Sequence, residues 1–527
     1  MLLARGRMHP LDWLIVIVYL AGVVALSVWI GLRQKQQSDY YLAGNRLGAW
    51  SIAGSMIATQ CSAISLIGAP AFIAIKEGGG LKWLQYELAV PLATIGILYL
   101  VSGYKKAGTT TIFSAVESQM GAATRKTLSL LFIAGRGLAT GVALYAMSVV
   151  VAVCLDLSVS NSILVVGGLS MVYTTIGGIE ADIYSDIMQL IVLWLSALAC
   201  AVVLLFLLES PGDALNSFDS SRLAIYQLSG NGLNDGAAYS LWPMLIGGFF
   251  LYLAYYGCDQ SQAQRLLAAK DLPTARKAIL LNGTLRLPLV LTYCSFGVLL
   301  GLFYQQSEWL QQMMQGQNPD FIAPYFIIEY MPTGLKGIIV SGILAAAMSS
   351  LDSNINSLSA ALEKDFLGGK EVAFPGLRHP LVRARSLTVV FGLAACGLAF
   401  LFSGSQATVL VLVNAISSAF NGPILACFVF ILLGRELKSP YWGVACLSAG
   451  IATNATLWLA APQMSWLWWN LFGFVVAMVG LTLGSRRFAK APREQCVEGP
   501  KPRHLYLLGC AAVATFAVLL GLHLILS

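Results

Sequence analysis

In the stretch GILAAAMSSLDSNINSLSAALEKDF, Gly342 to Phe366, the residues Ser349, Asp352, Ser353 and Asn356 follow i, i+3, i+4, i+7 spacing and so share one helix face. Ser350, Asn354, Ser357 and Ser359 lie among them. By length and surroundings the stretch is a membrane helix, which makes that face an oxygen-rich strip crossing hydrocarbon. An unpaired carboxylate there costs ~3 kcal/mol on insertion scales. Hard cations take oxygen ligands, and an alkali ion asks for about five or six. Serine and asparagine also hold neighbouring helices together, but that task does not require Asp352. Cation binding is the chemistry the strip points to.

The chain around it is built to hold such a strip inside a membrane. Of its 527 residues 57% are hydrophobic and only 11% charged, and apolar runs of about 20 residues recur throughout. Spans are expected near 11–32, 49–73, 82–104, 124–154, 161–177, 184–208, 237–263, 278–304, 334–364, 382–403, 406–433, 440–461, 465–484 and 505–526. These fourteen spans define an all-α integral membrane protein with no sizeable soluble domain. The first apolar run is too long, and lacks the small-residue cleavage site, for a removable signal peptide. The ten cysteines are scattered without paired spacing and read as small buried hydrophobes. The four histidines lie at span ends or in loops, and no HExxH or metal cluster exists.

The net charge of +7 is no nucleic-acid signal once its distribution is seen. Alternate loops carry Arg33, Lys35 and Arg46; Lys105, Lys106, Arg125 and Lys126; Arg265, Lys270, Arg276 and Lys277; Lys364 to Arg385; Arg435 and Lys438; and Arg486 to Arg503. The opposite side has only Arg5, Arg7, Lys76, Lys82, Arg222 and Lys336. The rich side is therefore expected to be cytoplasmic, with both termini outside. Arg5 and Arg7 disagree; a start at Met8 rather than Met1 would remove both.

Several spans are irregular at mid-membrane. ATQCSAISLIGAP puts Thr59, Gln60, Ser62, Ser65 and Pro70 inside 49–73, and Pro70 disfavours helix at Ala69. Around 237–263, Gly247–Gly248 and then AYYGCDQSQ interrupt a second helix. Two broken helices five spans apart point to an inverted-repeat transporter with its sites near the midplane, although kinks also serve packing. Arg136 sits between apolar residues, Arg286 lies nearer a helix end where snorkelling is available, and Glu87 is about a turn inside its span. Asp186 follows the turn GGIEADIYSD, where capping a helix start is an alternative to ion binding.

Taken in order, YYLAGNRLGAWSIAGSMIATQCSAIS, TTIGGIEADIYSDIMQ, YYGCDQSQAQRLLAAK and AAAMSSLDSNINS resemble the sodium:solute symporters over essentially the whole chain. The resemblance implies the leucine-transporter-type fold: a leading helix over 1–48, an inverted 5+5 helix core with discontinuous helices over 49–433 (repeats 49–208 and 237–433), and flanking helices over 434–527. It implies a main sodium site of the Ala58, Cys61 and Ala346 carbonyls with the Ser349 and Ser350 hydroxyls. A second ion would be held by Asp186, Ser349 and Ser353, with Asp352 standing where the family has a hydroxyl. That carboxylate either tightens a second Na⁺, the preferred reading, or carries a proton instead.

By the same resemblance Ser62, Ser65, Glu87, Tyr252, Arg286 and Asn414 line the substrate cavity and Tyr255 is the inner gate aromatic. ATQCSAIS with IAGRGLATGVALY is most similar to the sialic acid symporters, in which an arginine on this helix receives the substrate carboxylate, which implies that role for Arg136; guanidinium suits that task, being planar, always charged and bidentate. A structural pair of Arg136 with a carboxylate such as Glu87 is the alternative, and Glu87 itself departs from the amide of that pattern. The expected activity is Na⁺-coupled symport, by alternating access, of a carboxylate-bearing sugar, or else of a neutral sugar or a small monocarboxylate or vitamin anion. The protein is expected to act as a monomer in the plasma membrane, the inner membrane of a bacterium, with one or two Na⁺ and no nucleic-acid partner. An enzyme would need a nucleophile–base pair or metal cluster, and a sensor a signalling domain; an ion channel would share the ion-binding residues but conduct without coupling.

Overall fold

The computed structural model describes residues 8–60, 63–106, 108–368, 379–402, 409–486 and 499–526. Its principal helices are α1 (Pro10–Gly31), α2 (Ala49–Gln60), α3 (Ala63–Ala74), α4 (Ala89–Lys106), α5 (Glu117–Leu155), α6 (Val159–Leu207), α7 (Gly248–Cys258), α8 (Gln260–Leu267), α9 (Leu272–Gln306), α10 (Leu335–Leu362), α11 (Pro380–Leu401), α12 (Val409–Leu432), α13 (Pro440–Ala460), α14 (Leu467–Leu483) and α15 (Pro502–Leu526). Among the described residues nine helices are long and apolar enough to cross a membrane, ten with the bent pair α2–α3. Three shorter apolar helices and the double length of α6 are compatible with the fourteen spans expected.

Burial sorts the helices. The apolar window of α10 is 89% buried and that of α15 only 17%, so α10 is the axis of the bundle and α15 faces lipid. Phe206, Leu401 and Ile525 are likewise exposed, as befits side chains whose solvent is hydrocarbon. α10 packs against α1, α5, α6 and α11. The Asp12 carboxylate of α1 accepts from the His9 amide of its own cap at 3.0 Å and from the Gly334 and Gly337 amides at 2.6 and 2.9 Å. One side chain thus satisfies orphan donors at two helix starts and ties the leading helix to the axis.

Both breaks fall within the stretches expected to hold them. α2 and α3 bend by 49°. The second helix is irregular at both expected places: Pro243–Gly247 winds as a wider π turn up to Gly248, and within AYYGCDQSQ the backbone is extended at Asp259, between α7 and α8. Spans 161–177 and 184–208 are the two arms of α6, which meet at Gly178, where the backbone leaves the helical region. There φ is +58°, and a Cβ would lie 2.7 Å from the Tyr40 carbonyl oxygen, so only glycine fits the bend. Asp186 is therefore mid-helix and cannot be a cap.

Candidate functional site

The last turn of α2 brings Ala58 to the break, and the carbonyls of a helix's last four residues lack intrahelical partners. Ala58 is buried; Cys61 and Ser62 lie outside the described residues. Facing this end, Thr59, Gln60 and Ser65 share a cavity with Ala346 and Ser350 of α10. The Ser350 hydroxyl is buried with no hydrogen-bond partner among the described residues. A polar oxygen left open beside a broken helix suits a cation, since burying it unpaired is costly otherwise.

Ser349 turns the other way. Its hydroxyl donates to Asp186, which also accepts from Ser55 of α2. Ser353, one turn on, bonds its own Ser349 carbonyl at 2.8 Å and Asp182 at 3.2 Å, and Asp352 accepts from Tyr173. The Asp182, Asp186 and Asp352 carboxylates offer oxygens all within 4.8 Å of one another. Arg265 reaches into this group: its Nη2 lies 3.0 Å from Asp186 and 3.7 Å from Asp182 and contacts Ser353, while its Nε donates to Ser55 at 2.5 Å. Thus Asp186, Ser349, Asp352 and Ser353 do come together, with two charged partners, Asp182 and Arg265, that sequence reasoning missed. Asp182 lies four residues before Asp186, on the same face, which was a readable signal. Arg265 was expected among cytoplasmic loop charges, yet its side chain is fully buried; Arg276, from the same set, is also buried.

The cavity itself is walled by aromatic rings. Trp83, Tyr86, Tyr252, Tyr255, Tyr293 and Trp466 line it, none of the tryptophans having been singled out in the sequence. Arg286 crosses one wall, donating to Gln60 and Glu87 at 2.7 Å each, with its guanidinium 4.7 Å from the Tyr252 ring. Glu87 thus pairs with Arg286 and not with Arg136. At the floor, Arg136 forms an ion pair of 2.5 Å with Asp259, donates to Ser261 at 3.0 Å and lies 5.2 Å from the Tyr255 ring. The Asn414 side chain lies outside those described; Ser417 and Asn421, further along α12, line the cavity.

A broken helix facing an oxygen-lined axis, beside a cavity with two guanidinium groups, is the arrangement of a cation-coupled transporter with discontinuous helices. The chain belongs to the sodium:solute symporter family, whose model matches residues 40–438. It is 25% identical over 472 residues to the sodium/sialic acid symporter NanT of Aliivibrio fischeri, covering 89% of this chain and 92% of that one. It is 28% identical over 441 residues to a putative sodium-dependent multivitamin transporter of Drosophila melanogaster, covering 79% and 70%. In fold it is similar to the substrate-bound outward-open state of a Na⁺-coupled sialic acid symporter, with TM-score 0.79 at 19% identity, covering 91% of this chain and all of that one. The protein is a multi-pass Na⁺-coupled solute symporter of the leucine-transporter-type fold.

Proposed function

We propose that the solute is a carboxylate-bearing sugar of the sialic acid class, carried inward with Na⁺ by alternating access. The observation that carries this reading is the Arg136 guanidinium at the floor of an aromatic-walled cavity. A guanidinium binds a carboxylate through two parallel hydrogen bonds, and aromatic faces suit the apolar faces of a sugar ring. The naming of relatives as sodium/sialic acid symporters supports it. Ser62, Ser65, Tyr252, Arg286 and Asn414 complete the proposed cavity, with Glu87 acting through Arg286 and Tyr255 as inner gate.

Sodium is assigned to the Ala58, Cys61 and Ala346 carbonyls with Ser350 and with Ser349, whose hydroxyl would turn from Asp186 to reach the ion. Each charge moved through 100 mV supplies about 2.3 kcal/mol. A second cation belongs to Asp186, Ser349, Asp352 and Ser353: three carboxylates against the one Arg265 guanidinium leave negative charge that a further cation would balance. The proposed core is 49–433, in repeats 49–208 and 237–433, with the leading helix over 1–48, the flanking helices over 434–527 and both termini outside.

A smaller carboxylate is the second reading, favoured by the likeness to a protein named as a putative multivitamin transporter. Uptake into proteoliposomes tests both. Sialic acid uptake that rises with an inward sodium gradient, and not with potassium, is expected, and Arg136→Ala should abolish anion binding while sparing sodium binding. Accumulation of short carboxylates or of neutral hexoses, with none of sialic acid, would reject the first reading. Counting Na⁺ per solute separates one ion from two, and a proton current in place of the second would assign Asp352 to H⁺.

A further inference from the structure

Arg136 belongs to two cavities. Down α5, Met147, Ala143, Ala139 and Arg136 line the upper one; Gly135, Phe132 and Leu131, a turn further on, line a second. The second is lined at the break after α7 by Asp259, which caps α8 by accepting from the Ser261 amide at 2.8 Å. Two guanidinium groups hold that first turn. Arg136 pairs with Asp259 and reaches the Ser261 hydroxyl, while Arg265 donates to the Ser261 carbonyl at 2.5 Å from the same group that bonds Asp186. Asp186 in turn accepts from Ser349 of the proposed sodium site. The first turn of α8 is therefore tied to the cation side through one arginine and to the solute cavity through the other. The Nε of Arg136 is buried without a hydrogen-bond partner among the described residues, so the group retains a donor for a ligand.

We propose that Asp259 is a positioning residue for symport. It holds Arg136 as the latch between the two cavities, and a solute carboxylate opens the lower one by competing for that guanidinium. With sodium alone both ties stay closed and the ion does not leak. With the anion bound, Arg136 turns to it, Asp259 loses its counter-charge, and the first turn of α8 is freed on the cavity side. The latch rests on the carboxylate reading for its trigger, but not for its existence.

Cys258, buried and lining the second cavity beside Asp259, is a natural reporter. The experiment uses full-length protein in detergent with the other nine cysteines replaced, and reads the rate of maleimide labelling in sodium or potassium chloride. Asp259→Asn keeps the cap, since asparagine is as good an N-cap as aspartate, and removes only the charge. It is expected to label about tenfold faster or more, with Asp259→Glu restoring the slow rate and the melting temperature reporting that the fold is intact. N-acetylneuraminate in sodium should speed the parent and add nothing to Asp259→Asn. An unchanged rate in Asp259→Asn overturns the latch. A fast Asp259→Asn with a parent that no carboxylate accelerates overturns the anion as trigger, and with it the reading of the solute, while the ion pair remains the closure.

Discussion

Two buried charge clusters flank α2 and are built on opposite plans. Through Ser55, α2 meets the cluster of Asp182, Asp186, Asp352 and Arg265, in which carboxylates outnumber guanidinium and every member is sealed from solvent. Through Gln60, it meets Arg286 and Glu87, one charge of each sign, with the arginine opening onto the cavity. The first cluster is anchored on four helices, α2, α6, α8 and α10, and suits transmission between them. The second is electrically neutral and presents donors to a ligand, which suits recognition. Buried charge in one molecule thus divides by task according to whether its surplus faces inward or its donors face a void.

The sharpest way to break this contrast is Arg265→Ala. Among the described residues Arg265 is the one guanidinium paired with these three carboxylates, and breaking a buried pair costs about 3–5 kcal/mol. A large drop in melting temperature and loss of sodium-driven uptake are expected. Asp182→Asn should do far less, because Asp182 has one oxygen without a hydrogen-bond partner among the described residues and lies 3.7 Å from Arg265. Equal damage from both would mean the cluster has no surplus of acid.

Glu87→Gln strikes the neutral pair and should have the next largest effect. The loss of a hydrogen-bonded charge partner costs about 2–5 kcal/mol when the remaining charge stays buried, but here Arg286 can turn its charge toward the cavity. The lower end of that range is expected in stability. Competition binding should then show preference moving toward anions over neutral sugars. A variant whose preference is unaltered would place Glu87 in packing only.

Ser350→Ala tests the open oxygen at the broken helix. Losing one ligand of several, worth about 1.4 kcal/mol, should raise the sodium concentration for half-maximal uptake about tenfold with little change in melting temperature. Ser349→Ala, by contrast, also removes a donor to Asp186, and should raise that sodium concentration and lower the melting temperature as well. If the two serines behave alike, they do not belong to different sides of α10.

What could be read from the chain follows the range of the forces involved. Apolar length marked the spans, and a 3.6-residue period put Ser349, Asp352 and Ser353 on one face, because both are local properties. The motifs in order implied the family, which the match over residues 40–438 shows. The pairings were not local. Glu87 and Arg286 are 199 residues apart and Arg265 and Asp186 are 79 apart, and no period links such positions. Arg265 was misread for a physical reason: α8 is so polar that it resembles a solvated loop. Each polar residue there is instead matched, Gln264 to Asn356 at 2.9 Å and Gln260 to the Thr110 carbonyl at 3.0 Å. A cap role for Asp186 was open because the sequence does not show where the second arm of α6 begins; the backbone turns at Gly178, eight residues earlier, which leaves Asp186 two turns inside the helix.

Tyr252→Phe is the mildest probe of the recognition cluster. The Tyr252 hydroxyl makes two long contacts, 3.4 Å to Gln60 and 3.4 Å to Glu87, so its removal should cost no more than about 1 kcal/mol. The ring does more. It lies 4.5 Å from Tyr86 and under the Arg286 guanidinium, and phenylalanine retains both contacts. Solute affinity should therefore fall by no more than about fivefold in Tyr252→Phe and much further in Tyr252→Ala, measured by calorimetry in sodium. Should Tyr252→Phe lose as much as Tyr252→Ala, the hydroxyl itself bonds the solute, and this wall of the cavity reads polarity where the aromatic faces were assigned that task.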